Sequence, residues 1–166
     1  MFEELIKIES FVFKTFGSEI VNAKEDKACP DYFGCSFQIG GKHVKFRKAK
    51  ITPKKIGQFV TLWKRDPMGR TLPYDLDDDF DFYIILIERA PQCGFFVFPK
   101  KILARMGILT AEAREGKRGF RVYPDWDVPV NRQGLSTKKW QNEFFVELFD
   151  EEKTIEKLQK ICSAAY

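Results

Sequence analysis

The sequence predicts a single α+β (or α/β) domain in which helices flank a mixed β-sheet. The chain has 166 residues, 44% of them apolar and seventeen of them phenylalanine, which is enough for one packed core. An apolar run of strand length at residues 82–87 is followed across a turn by another at residues 95–98. Strand and helix patterns mix along the chain without strict alternation, which is typical of a mixed sheet.

The N-terminal segment predicts the first helix. Apolar residues recur at helical spacing from Phe2 to Phe16, and Gly17 provides the stop. Glu9 lies on or beside this apolar stripe. The following residues, 22–32, are polar and contain proline, so they predict a loop.

Two predicted strands follow this loop. Residues 35–39 alternate in polarity, and a Gly-Gly pair after them is a hairpin signal. Residues 43–51 then form the returning strand. Lys45, Arg47 and Lys50 would turn away from the core.

Residues 53–64 predict an amphipathic helix at the centre of the basic part of the chain. Thr52 is a good N-cap, and the proline after it fits the first helical position. An apolar face recurs at helical spacing and contains Ile56, Phe59, Val60 and Trp63. We therefore expect Trp63 in the core.

The C-terminal half predicts three helices and one strand. A short helix at residues 100–106 ends at a glycine, and a strand covers residues 116–124. Ser136 caps the next helix, which runs through Phe144, Phe145 and Leu148, and residues 151–160 form the last one. We therefore divide the chain into a domain over residues 1–150 and a helical tail over residues 151–166.

Basic residues concentrate in one segment of the sequence. Residues 42–65 contain nine Lys or Arg, one His and no acid, although the net charge of the chain is only +4. Lys54 and Lys55 would stand in the first turn of the predicted helix and form a site for an anion such as phosphate. A solvated basic surface is the alternative. The complete set of candidate nucleic-acid contacts is Lys45, Arg47, Lys50, Lys54, Lys55, Lys64, Arg65, Lys117, Arg118, Arg121, Lys138 and Lys139.

Acidic residues concentrate just before the buried run at 82–87. Five of the eight residues 74–81 are Asp, and pairing of the two apolar runs would bring Asp81 near Lys100. Carboxylates of Asp79 and Asp81 suit a hard cation such as Mg²⁺ or Mn²⁺. Carboxylates, a divalent metal and a lysine beside a phosphate site are the groups needed to hydrolyse a phosphodiester. The alternative is a solvated acidic loop.

Other chemistries find little support in the sequence. The only histidine, His43, has no evident nucleophile partner, and no P-loop motif occurs. The four cysteines have no metal-binding spacing and predict reduced thiols in a cytoplasmic protein. No stretch approaches the ~20 apolar residues of a membrane helix, so we expect no membrane contact.

Five blocks of sequence carry a family resemblance. In order, FRKAKITPKKIGQFVTLWKR, PYDLDDDFDFYIILIE, GFFVFPKKIL, GKRGFRVYPDWD and KKWQNEFF resemble the MepB family over roughly residues 2–148. The resemblance implies a restriction-endonuclease-like core of the PD-(D/E)xK type. It also implies a nucleic-acid partner, for which we expect duplex DNA.

The same resemblance implies roles for individual residues. In PD-(D/E)xK enzymes one Asp opens the second core strand, and an acid-x-Lys motif lies on the third. Asp81, or else Asp79, takes the first position as catalytic residue and metal ligand, and Lys100 takes the lysine position. Glu9 would serve as a helical carboxylate.

The acid of the acid-x-Lys motif falls on Phe98, so one metal ligand is missing. Three hypotheses follow. Glu88 takes the vacant place and Mg²⁺ or Mn²⁺ supports cleavage; the protein binds nucleic acid without cutting it; or the basic face binds an acidic protein partner. We favour binding without cleavage, since a missing ligand removes both affinity and geometry.

Overall fold

The computed structural model describes residues 3–164, and a six-stranded mixed sheet is its central feature. Two short 3-10 turns, at Pro30–Tyr32 and Asn142–Phe144, complete the regular structure. In chain order the elements are α1 (Glu3–Phe16), β1 (Val21–Glu25), β2 (Cys35–Ile39), β3 (Lys42–Lys48), β4 (Lys50–Ile51), β5 (Gln58–Thr61), β6 (Trp63–Arg65), β7 (Thr71–Pro73), β8 (Phe82–Arg89), β9 (Gln92–Pro99), α2 (Lys100–Arg105), β10 (Gly119–Val122), α3 (Arg132–Gln141), β11 (Phe145–Glu147) and α4 (Glu151–Ser163).

The central sheet has the strand order β1-β2-β3-β8-β9-β11. The first three strands form an antiparallel meander, and β3 pairs with β8 in parallel, with Val44 opposite Phe82. β8 and β9 form an antiparallel hairpin, and β11 pairs antiparallel with β9. The predicted mixed sheet and the predicted pairing of residues 82–87 with 95–98 are therefore confirmed.

Helices cover one face of this sheet. Leu5, Ile8 and Val12 of α1 are buried, and α1 contacts α4, which packs against β9 and β11. Because the apolar stripes of both helices meet the same face, α1 and α4 share one core layer. Phe2, which the sequence places on the first helix, lies outside the described residues.

A second, smaller sheet covers the opposite face. It has the order β10-β5-β4, and it meets β8 through the Tyr83 hydroxyl, which donates to the Thr61 carbonyl oxygen at 2.6 Å. The rings of Phe98 and Trp140 lie 5.3 Å apart, so α3 packs on this side as well. β8 is therefore buried on both faces, as its continuous apolar run predicts.

The predicted helix at residues 53–64 is wrong, because these residues form a turn followed by β5 and β6. The deciding pattern has period 2: Gln58, Val60 and Leu62 are buried, whereas the residues between them are partly exposed. Gly57 adopts φ +81°, and a Cβ there would lie 2.7 Å from the ring of Tyr123. A helix cannot continue through such a residue.

Trp63 is not in the core, contrary to the prediction made from helical spacing. It lies on β6 and is only partly buried. The guanidinium of Arg65 lies 5.1 Å from its ring centroid. The error follows directly from the wrong period assigned to this segment.

The helix predicted from Ser136 through Leu148 is wrong at both ends, because α3 covers Arg132–Gln141 and Phe145–Glu147 is strand β11. Asn131, and not Ser136, caps α3: its side-chain oxygen accepts the Gly134 N–H at 2.7 Å. Asp150 caps α4.

The fully exposed strand β1 covers the start of the segment, residues 22–32, that was predicted to be a loop. An exposed edge strand has no apolar alternation, which explains why no strand was predicted there.

Candidate nucleic-acid interface

A basic groove of about 950 Å³ lies between β10, the loop from β4 to β5, and α3. Tyr123, Trp140 and Phe120 form part of its wall. None of the described residues that line it is acidic. The basic side chains along it are Lys54, Lys55, Lys117, Arg121 and Arg132.

Arg121 holds the loop that carries Lys54 and Lys55. Its guanidinium donates to the Gly57 carbonyl oxygen at 3.1 Å and to the Thr52 hydroxyl at 2.5 Å. These bonds tie β10 to the 52–57 loop. Much of the donor capacity of Arg121 is thereby used inside the protein, so it positions the loop and leaves the neighbouring lysines exposed.

Lys54 itself has an unusual main-chain conformation. Its φ is +64°, in the left-handed region that costs a residue with a Cβ about 1–2 kcal/mol. Such strain persists where surrounding structure imposes it, and it clusters at functional sites. Here the bonds from Arg121 impose the loop path on which Lys54 stands.

The other wall of the groove is the first turn of α3. Gln141, which is fully buried, joins α3 to β10: it accepts the Tyr123 N–H at 2.9 Å and donates to the Arg121 carbonyl oxygen at 2.9 Å. Arg132 is exposed at the start of α3, where the helix dipole adds positive potential. Arg132 was not predicted from the sequence because the predicted helix began only at Ser136, whereas α3 begins at Arg132.

Most of the charge in the groove is uncompensated. Among the described residues, Lys54, Lys55, Lys117 and Arg132 form no ion pair with an acid. By contrast Arg118, next to the groove, pairs with Glu115 at 2.9 Å. Several like charges held together without counter-charges favour an anionic ligand.

The remaining predicted contacts are engaged elsewhere. Lys64 pairs with Asp75 at 2.7 Å and Asp78 at 2.6 Å, and Lys138 donates to two main-chain carbonyl oxygens. Lys50 lies over the ring of Tyr32, Arg65 over that of Trp63, and Lys139 lines a different groove between α2 and α4. The structure therefore places four of the twelve predicted residues, Lys54, Lys55, Lys117 and Arg121, in one groove.

Arg47 cannot be a surface contact, so that prediction is wrong. Its side chain is 1% exposed, pairs with Asp26 and donates to the Phe46 carbonyl oxygen at 2.8 Å. The alternation of β3 does turn it away from the helices, but the small sheet and its loops cover that face too. Lys45, two residues earlier, is also largely covered, with its ammonium 4.6 Å from the ring of Tyr74.

The acidic residues before β8 adopt a different arrangement from the one predicted. Lys100 N–H donates to the Asp81 carbonyl oxygen at 2.9 Å, so the two main chains are adjacent, as expected. The Asp81 carboxylate, however, accepts the His43 N–H at 2.9 Å and lies 3.7 Å from Lys42. The Lys100 ammonium instead lies 5.3 Å from the ring centroid of Phe80, and no ion pair joins it to Asp81.

These carboxylates do not fit a divalent metal. Asp79 is bonded to His43 Nδ1 at 2.7 Å, and Asp81 is held as described above. Glu88 pairs with Lys48 at 2.6 Å at the far end of β8, about 20 Å from Asp81 by strand rise, so it cannot fill the vacant ligand position. Glu9 is half-buried on α1. Within residues 3–164, no three His, Cys, Asp or Glu side chains group as a metal site.

The strand order places Asp81 and Lys100 at later strands of the sheet than the second and third ones that the resemblance implies. The second and third strands of the central sheet, in chain order, are β2 and β3. Asp81 and Lys100 flank β8 and β9, which are the fourth and fifth. The residues that β3 presents on the face away from the helices include Lys45 and Arg47.

Comparison with known proteins places the chain in a family. The MepB-like family model matches residues 26–147. The chain belongs to the MepB-like family. The chain is 32% identical in sequence to the protein in the crystal structure of MepB. The two structures match with a TM-score of 0.78 over 90% of this chain and 99% of that chain. No protein among the curated ones matches it.

A more remote match is a bacterial homing endonuclease, with 14% identity and a TM-score of 0.47 over 82% of this MepB-like chain and 86% of the other. A similarity at this level says nothing about activity. The family membership implied by the sequence is confirmed, as is the mixed sheet flanked by helices. No described helix has the length and apolar character needed to cross a membrane.

Proposed function

We propose that this MepB-like protein binds nucleic acid, and duplex DNA in particular, through the basic groove. The observation that carries the proposal is a set of four exposed basic side chains that have no acidic partner among the described residues: Lys54, Lys55, Lys117 and Arg132. They come from three separate parts of the chain and line one groove. Phosphate oxygens are the ligands that such side chains neutralise in protein–DNA complexes.

The proposed function is binding without hydrolysis. Asp79 and Asp81 are each hydrogen-bonded to His43, and the Lys100 ammonium lies over the ring of Phe80. The groups needed to activate water at a metal are therefore not assembled. We expect intact supercoiled DNA after incubation with the protein and Mg²⁺ or Mn²⁺. Metal-dependent nicking that Asp81→Asn abolishes would contradict this part of the proposal.

The binding test uses charge reversal in the groove and a matched control. Lys117→Glu with Arg132→Glu changes the net charge by −4, and both positions are exposed. Lys27→Glu with Lys101→Glu gives the same change at exposed positions outside the groove. Fluorescence anisotropy with a labelled duplex should show a loss of at least about tenfold for the groove variant and a much smaller loss for the control.

Two results would overturn the proposal. Equal losses in both variants would mean that net charge, and not the groove, determines binding. No binding of duplex by the wild type, together with binding of an acidic polypeptide that the groove variant loses, would instead support a protein-interaction module. Circular dichroism of each variant confirms that it is folded.

A further inference from the structure

A second pocket, of about 310 Å³, lies on the face of the central sheet away from the helices. It is bounded by β1, β2, β3 and the hairpin of β6 and β7. No residue that lines it also lines the basic groove. Its side chains include Asp26, Lys45, Arg47, Trp63, Lys64 and Tyr74.

Arg47 forms the back of this pocket. Its side chain is 1% exposed, and a charge buried to that degree is costly unless it is paired. Asp26 supplies the paired carboxylate and the Phe46 carbonyl oxygen a further acceptor, yet Nε has no hydrogen-bond partner among the described residues. Asp26 thus forms its ion pair with Arg47 and not with the neighbouring Lys45.

That neighbour, Lys45, lines the pocket as a largely covered cation. Its ammonium lies 4.6 Å from the ring centroid of Tyr74 and 5.9 Å from that of Phe80. Within the described part of the chain it has no hydrogen-bond acceptor and no ion pair. Burial and the nearby Arg47 charge lower the pKa of Lys45, against the opposing effect of the Asp26, Asp78 and Asp79 carboxylates.

Two other cations around the pocket are engaged within the protein. Lys64 pairs with Asp75 and Asp78, and Arg65 donates to the Gly69 carbonyl oxygen at 2.8 Å. Glu25 lies on the fully exposed strand β1. Among the described residues that line the pocket, Lys45 and the exposed Lys24 of β1 are therefore the lysines without an acceptor, and Trp63 and Tyr74 form its wall.

We infer that this pocket binds a nucleoside phosphate, with the phosphate accepting from Lys45 Nζ and the base against the aromatic wall. A phosphate monoester carries a charge near −2 at neutral pH, which would offset the charge of a partly buried lysine. The volume is at the small end of the range for ligand pockets and suits a single nucleotide. Aromatic side chains such as Trp63 offer a surface on which any base can stack.

The first test measures AMP binding to the full chain by isothermal titration calorimetry at pH 7.5. We expect Lys45→Met to weaken AMP binding at least tenfold, and Lys45→Arg to retain part of it. Lys50→Met is the matched control, since Lys50 also lies over a tyrosine ring, at 4.8 Å, but outside the pocket. Lack of AMP binding by the wild type at millimolar concentration, or equal binding by Lys45→Met, would overturn the inference.

A second measurement uses only the wild type, so its result does not depend on whether Lys45→Met folds. Lysine acetylation of the wild type, mapped by mass spectrometry, should be slower at Lys45 when AMP is present and unchanged at Lys50. Equal acetylation of Lys45 with and without AMP would contradict the inference.

The source of the nucleotide is distinguished with oligonucleotides in the groove variant Lys117→Glu/Arg132→Glu. Preference for a 5′-phosphorylated strand over a 5′-hydroxyl strand, lost in Lys45→Met, would identify a strand end as the ligand. AMP binding without that preference would identify a free nucleotide. Because the groove and the pocket share no lining residue, failure of either proposal leaves the other testable.

Discussion

At the scale of single residues, Lys54 combines main-chain strain with an exposed charge. Its φ of +64° disfavours lysine, whereas Asn tolerates the left-handed region. We therefore expect Lys54→Asn to leave the melting temperature unchanged or slightly higher, while duplex binding weakens. Thermal unfolding and anisotropy measured on the same sample test this. A destabilised variant with normal binding would show that Lys54 serves the fold and not the ligand.

Gly57 is required in the same loop because no side chain fits at its position. It has φ +81°, and a Cβ would lie 2.7 Å from the Tyr123 ring and 2.9 Å from the Val122 carbonyl oxygen. We expect Gly57→Ala to lower the free energy of unfolding by about 2–4 kcal/mol, since conformational strain and overpacking add. Urea denaturation measures the loss. Gly41→Ala is the control, at φ +76° with no atom within 4 Å of the added Cβ, and it should cost less.

Tyr74, which lines the same pocket as Lys45, makes stability depend on pH above 10. Burial raises the pKa of Tyr74 from 10.0 to about 12. Between these values the folded state retains a proton that the unfolded state has lost, so stability falls as pH rises from 10 to 12. The contribution is about 2–3 kcal/mol. Tyr74→Phe should lose less stability over this range than the wild type in urea denaturation, and parallel pH curves would contradict the assignment.

At the scale of elements, the success of sequence reasoning depended on how completely a segment was buried on one side. α1, α4 and the β8–β9 hairpin were predicted because long apolar stripes or runs leave little choice of structure. Residues 53–64 were predicted wrongly because four apolar residues fit one helical stripe, although only Val60 of these four is buried. The glycine inside that segment was the available signal for a strand, and it was given too little weight.

The candidate site was predicted only in part, for a physical reason. A run of basic residues identifies Lys54, Lys55 and Lys117 as exposed charges. Alternation along a strand cannot show whether its second face meets solvent or another sheet, so Arg47 was placed on the surface although it is buried. Ion pairs such as Lys64 with Asp78 join residues that are far apart in the sequence, so no local pattern predicts them.

One prediction concerns the loop from β4 to β5 as a unit. The Arg121 guanidinium bonds to Thr52 and Gly57, so Arg121→Met should release the loop while keeping the aliphatic packing of the side chain. Hydrogen exchange of residues 52–57 should become faster, and duplex binding should weaken with it. Unchanged exchange with weakened binding would instead make Arg121 a direct phosphate contact.

At the scale of the whole molecule, the fold separates charges that the sequence places close together. The basic segment 42–65 contributes Lys54 and Lys55 to the groove and buries Arg47 elsewhere. Acidic side chains of the segment 74–81 pair with Lys64, His43 and Lys42. A net charge of only +4 therefore coexists with a groove in which no described lining residue is acidic, and this local field is the basis of the proposed DNA binding.

The salt dependence of duplex binding tests that claim most directly. Each phosphate contact contributes about −0.9 to the slope of log K against log salt concentration. Removing two contacts without reversing charge, as in Lys117→Met/Arg132→Met, should make the slope shallower by about 1.8 relative to the wild type. Lys27→Met/Lys101→Met should leave the slope unchanged. Identical slopes for the wild type and the groove variant would contradict the account, because Lys117 and Arg132 would then neutralise no phosphate.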